Sequence, residues 1–206
     1  MRRALILALI SITLPMAARA DTIDLFNKFG TITISNAGIA SKGSQLSQFK
    51  GIAPGHSLGS VSFATGALLS GSIQAGGIFS SVGSFFKVVG MGNFGQPKGT
   101  IFSGAFVGPI SWTLLSQTGQ TLFFQLSGAL SGQLANGHTI SGTTTQLFRS
   151  TPAQLAKGIV HLTSGQTHLT ATPEPGTMGL LGLGLVGIAR LARRRSFLNT
   201  PRAGGM

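Results

Sequence analysis

From residue 21 to about residue 171, short apolar and polar runs alternate, and glycine interrupts them repeatedly. Leu122, Phe124 and Leu126 fall on one face of such a run, and Ile140 lies beside a row of Thr143 and Thr145 in another. A period of two with frequent glycine punctuation is the mark of short strands and tight turns. Strands are predicted over 22–27, 31–35, 58–64, 68–74, 78–89, 100–107, 110–116, 121–127, 129–135, 139–148 and 158–163. Asn136-Gly137 predicts a type I′ hairpin turn, and Gly108-Pro109 divides the run carrying Phe102 and Phe106 from the run carrying Trp112. The stretch TPAQLAK at 151–157 predicts one helical turn with a Ser or Thr N-cap. The fold expected is all-β, an antiparallel β-sandwich or jelly roll. Similar phrases at 103–106, 127–130 and 131–134 keep a solenoid as the alternative, although no strict period joins them. The expected core is Phe63, Phe79, Phe85, Phe102, Phe106, Trp112, Phe123 or Phe124, and Phe148.

The two ends break this pattern. Arg2 and Arg3 precede an apolar run from Ala4 to Leu14, Pro15 ends it, and Ala18-Arg19-Ala20 offers a small-x-small cleavage pattern. Residues 1–20 therefore predict a signal helix cut by signal peptidase after Ala20. As a helix the run covers about 16 Å, about half of a bilayer core, so it is too short to span.

At the other end, Pro173-Glu174-Pro175 is followed by the apolar run MGLLGLGLVGIA at 178–189 and by Arg190, Arg193, Arg194 and Arg195. The prolines keep the chain extended, and the arginines favour the cytoplasmic side of an inner membrane. The run reaches only about 18–22 Å as a helix, and its glycines weaken it, so it suits a temporary anchor by a single membrane helix. This three-part tail resembles the PEP-CTERM sorting signal of Gram-negative bacteria. The resemblance implies that Pro173, Glu174 and Pro175 form the recognition motif of exosortase, a membrane-embedded cysteine protease. It further implies that the protein is then released or transferred to the cell surface or extracellular matrix. An uncleaved tail anchor is the alternative.

Composition narrows the chemistry of the middle. The 206 residues hold 15 Lys+Arg, only 3 Asp+Glu and no Cys. Three acids disfavour a paired-carboxylate enzyme, and the lack of Cys removes disulfides, thiolate zinc sites and cysteine nucleophiles. The +12 charge is concentrated at the ends. Lys28, Lys42, Lys50, Lys87, Lys98, Arg149 and Lys157 stand singly, which does not give the stripe a nucleic-acid binder needs. Gly90-x-Gly92-x-x-Gly95 and Gly182-x-Gly184-x-x-Gly187 match a dinucleotide fingerprint in letters only, since neither has the acidic ribose ligand that should follow. The histidines are His56, His138, His161 and His168, of which His161 and His168 are expected on neighbouring strands. No metal, cofactor or catalytic residue is assigned. Trp112 belongs either to the core or to a sugar-stacking platform.

The domain plan is thus a signal peptide at 1–20, a secreted β-rich domain at 21–171, a sorting and anchor segment at 172–195, and a basic disordered tail at 196–206. Two functions fit. One is a non-enzymatic surface or matrix protein whose partners are signal peptidase, exosortase and inner-membrane lipids. The other is a carbohydrate-binding or adhesive module of the envelope, with exopolysaccharide as partner.

Overall fold

The computed structural model describes residues 22–171 together with 184 and 185. Residues 21–172 form a compact unit. Its elements are β1 (Thr22–Lys28), β2 (Thr31–Ser35), β3 (Gly38–Phe49), β4 (Gly59–Ala64), β5 (Leu68–Ser72), β6 (Gly76–Phe79), β7 (Phe85–Met91), β8 (Lys98–Thr118), β9 (Thr121–Leu134), β10 (Thr139–Ser150), α1 (Pro152–Ala156) and β11 (Ile159–Ala171). The domain is all-β apart from that single helical turn.

The strands combine end to end into eight ribs. β1 and β2 make one rib, since both pair with β11 in one continuous register, Thr22 opposite Thr170 and Thr31 opposite His161. β6 and β7 likewise share β8, and β4 and β5 line up against them. Each rib pairs antiparallel with the next in sequence, and the last pairs with the first, which closes the sheet. This is an up-and-down barrel and not the expected sandwich or jelly roll. Closure leaves no free edge, and the interior of an eight-stranded barrel is small enough for its own side chains to fill.

The interior is filled accordingly. Phe63, Phe86, Phe102 and Phe106 pack together with ring centroids 6.0–6.5 Å apart. Trp112 stacks on Phe124 at 4.6 Å and leans on Phe148 at 5.3 Å. Along β10 the inward residues run Ile140, Thr144, Gln146, Phe148, so a polar layer interrupts the apolar ones. In that layer Asn27 Nδ2 donates to Ser44 Oγ (2.8 Å) and to Gln146 Oε1 (2.9 Å). Gln146 Nε2 donates to Thr144 Oγ1 (2.7 Å), which meets Thr167 Oγ1 at 2.8 Å. The outer face carries Ser, Thr, Gln and Lys together with exposed apolar residues such as Leu69, Phe85, Val107, Leu115 and Phe123.

Several details depart from the sequence expectations. β3 was absent from the predicted set, because its inward residues include Ser41 and Ser44 and a bulge between Lys42 and Ser44 breaks its alternation. β8 runs through Gly108-Pro109 with a register shift instead of ending there. Phe85 faces out and Phe86 faces in, since β7 begins after a break in the rib at residues 80–84. Phe124, not Phe123, is the buried partner of Trp112. Asn136-Gly137 lies in a four-residue loop where only Gly137 has positive φ, so it is not a type I′ turn. Gly90, Gly92 and Gly95 form a hairpin end between β7 and β8, with no helix following.

Among the described residues no helix is long and apolar enough to cross a membrane. The expected signal helix with Ala18 and Ala20, the membrane helix apart from Gly184 and Leu185, and the tail at 196–206 lie outside the described residues.

Candidate functional site

The site is built on the outer wall where β10 and β11 meet the broken first rib. Between β1 and β2, Phe29 has φ 59° and Gly30 has φ 126°. A left-handed backbone is uncommon for a bulky aromatic residue. The turn holds the ladder, with Leu162 N–H donating to Gly30 O at 3.0 Å, but it throws the Phe29 side chain outward. That ring is 60% exposed, and Lys28 Nζ lies 5.1 Å from its centroid.

Beside it, register places Thr31, His161, Arg149 and Phe123 in one row across four strands. Arg149 and His161 are direct cross-strand partners, so their Cβ atoms are about 5 Å apart. A groove of about 420 Å³ is lined by Phe29, Thr31, Arg149, His161 and Thr163. A second depression of about 300 Å³ shares Arg149 and His161 and adds Thr121, Thr151 and Gln154. The Arg149–His161 pair borders both.

Helix α1 fixes the far wall. Thr151 Oγ1 accepts from Gln154 N–H at 3.2 Å, and Gln154 Oε1 accepts from Thr151 N–H at 3.3 Å, a capping box with Pro152 at the first helical position. The same Gln154 side chain places its Nε2 3.3 Å from His161 Nε2. Cap and groove are thus one hydrogen-bonded unit, and the helical turn expected from TPAQLAK serves to hold it.

The groove contains a guanidinium, an imidazole, an amide, hydroxyls and an aromatic face, but no carboxylate. Asp24 is the only carboxylate among the described residues. It is bonded to His168 Nδ1 at 2.5 Å on the outer face, about seven residues or 23 Å along β11 from His161. His161 and His168 lie on the same strand, not on neighbouring ones, and among the described residues no cluster of His, Asp and Glu could hold a metal. His56 and His138 lie in the connections that follow β3 and β9.

Trp112 is only 1% exposed, and its Nε1–H donates to Ile73 O at 2.9 Å. It belongs to the core and cannot serve as a sugar platform. The groove was missed in the sequence because its members come from positions 29–31, 121, 149–154 and 161–163. The one local signal was an exposed-type Phe-Gly pair after a lysine.

Pro173, Glu174, Pro175, Arg190, Arg193, Arg194 and Arg195 lie outside the described residues. The class is therefore defined by two parts, a closed meander barrel and the C-terminal segment that follows it. Residues 171–195 match the family model of the PEP-CTERM protein-sorting motif, so the chain carries that motif after its barrel. The motif indicates an exported protein sorted through exosortase at the membrane toward the cell surface. No curated protein and no solved structure matches the chain.

Proposed function

We propose that this is a non-enzymatic surface or matrix protein, exported by its N-terminal signal and held briefly in the inner membrane by the apolar run before Arg190. Exosortase would recognise Pro173, Glu174 and Pro175 and free the barrel for the cell surface or extracellular space. The match of residues 171–195 to the sorting motif carries this reading. The carboxylate-poor barrel supports the non-enzymatic part, because paired-carboxylate chemistry needs two acids in one cleft and Asp24 is the only one among the described residues. Mass spectrometry of the protein from each cell fraction is the test. Ends near Asp21 and near Pro173 in the outermost fraction are expected. An intact chain from Met1 to Met206 confined to the cytosol would overturn it.

A second reading is a carbohydrate-binding or adhesive module of the envelope. What favours it is the outer groove, where an exposed aromatic ring and polar side chains converge.

A further inference from the structure

We propose that the Phe29–Arg149–His161 groove binds an acidic polysaccharide, with a uronate carboxylate on Arg149 and a pyranose face on Phe29. This rests on the adhesive-module reading and names its ligand class and its residues.

Four observations carry it. First, Phe29 holds a strained left-handed backbone and an exposed ring, and such strain persists where the surrounding structure enforces it, commonly at ligand sites. Lys28 Nζ lies 5.1 Å from the ring centroid, which puts a cation beside the aromatic surface. Second, Arg149 is exposed, and no anion pairs with it among the described residues. A guanidinium presents a planar fork of donors that matches a carboxylate in two parallel hydrogen bonds. Third, Gln154 is pinned by the capping box and faces His161, while Thr31 and Thr121 border the groove with hydroxyls, those of Thr151 and Thr163 being engaged with Gln154 N–H and Leu147 O. Such groups exchange hydrogen bonds with sugar hydroxyls. Fourth, the two depressions lie on either side of Arg149 and His161, which line both, and a ligand reaching both has to be longer than a single sugar.

The charge pattern selects the anion. Seven cationic side chains face one carboxylate over the described residues, and that carboxylate is already bonded to His168 about 23 Å away. An acidic ligand therefore meets no repulsion at the groove. A phosphate backbone would need a stripe of cations, whereas one guanidinium flanked by hydroxyls and a single ring fits one carboxylate per few sugars.

The test is isothermal titration calorimetry on the full chain in mild detergent. The probes are oligogalacturonate, the neutral galactose oligomer of equal length, and inorganic polyphosphate. Oligogalacturonate should bind, the neutral oligomer should bind at least about tenfold more weakly, and Arg149→Gln should lose about tenfold or more, as expected for one charge-assisted contact. Phe29→Asn, which tolerates the left-handed backbone, should also weaken binding while the melting temperature stays put. Equal binding of the acidic and neutral oligomers would refute the carboxylate assignment and leave the adhesive reading standing. Equal binding of polyphosphate would reduce the effect to charge alone and overturn the proposal. Wild-type affinity in both variants would place the site elsewhere. No binding of either oligomer would remove this proposal and the adhesive reading together, leaving the sorting route untouched.

Discussion

Asn27 and Gln146 are 119 positions apart, yet Asn27 Nδ2 donates to Gln146 Oε1 at 2.9 Å inside the barrel. They come from ribs on either side of β11, and the residue between them in the row is Gly165. A Cβ at Gly165 would lie 1.9 Å from Gln146 Oε1 and 2.4 Å from Asn27 Oδ1. The two amides meet over that glycine because it has no side chain. One hydrogen bond therefore ties the first rib to the rib before the last.

Gly165→Ala should destabilise the barrel by about 2–4 kcal/mol, because a methyl group must displace two buried amides. Combining it with Gln146→Ala should restore part of the loss, since the closest clash disappears. Urea unfolding of the four proteins in this cycle measures the coupling. Additive losses would mean the clash is relieved in some other way.

Asn27→Leu alone strands Gln146 Oε1 in the core and should cost about 1–3 kcal/mol. The pair Asn27→Leu with Gln146→Leu should cost less than the sum of the singles, because both polar groups leave together. The same unfolding experiment decides it.

Neighbouring residues of β7 should respond in opposite ways. Phe86 is fully buried against Phe63 and Phe106, and Phe86→Ala should cost about 3–5 kcal/mol. Phe85 is 44% exposed, and Phe85→Ala should cost under about 1 kcal/mol. Equal effects would contradict the register of this strand.

Trp112→Ala should lose about 3–5 kcal/mol, from the stack on Phe124 and the bond to Ile73 O. Titrated below its lowered melting temperature, the variant should bind glycans as the wild type does. A selective loss of binding with stability intact would restore Trp112 as a ligand platform.

Glu174→Gln, or deletion of Arg193–Arg195, should leave an unprocessed species in the inner membrane. Cell fractionation with terminal mass spectrometry reads this out. Unchanged processing in both variants would count against the sorting role of these residues.

Much of the strand content was legible from sequence. Leu122, Phe124 and Leu126 alternate cleanly and do point inward, and TPAQLAK does form the capped turn. β3 was not legible, because two of its inward positions are serines, of which Ser44 is held by hydrogen bonds to Asn27 and Val61 on neighbouring ribs and Ser41 is buried without such a partner. The choice between Phe85 and Phe86 was also hidden, since a break in the rib resets the alternation by one residue. The groove was hidden for a related reason, because cross-strand neighbours are set by register and not by sequence spacing.

By itself the sequence determined the all-β character and the terminal address. Period-two alternation is a local property, and the Pro-Glu-Pro, apolar and arginine elements are contiguous in the chain. Only the tertiary structure decided that the sheet closes on itself, that Trp112 is core, and that Phe29, Arg149 and His161 share one face. Those outcomes rest on pairing between strands far apart in the chain, and the first and last strands become neighbours only when the barrel shuts.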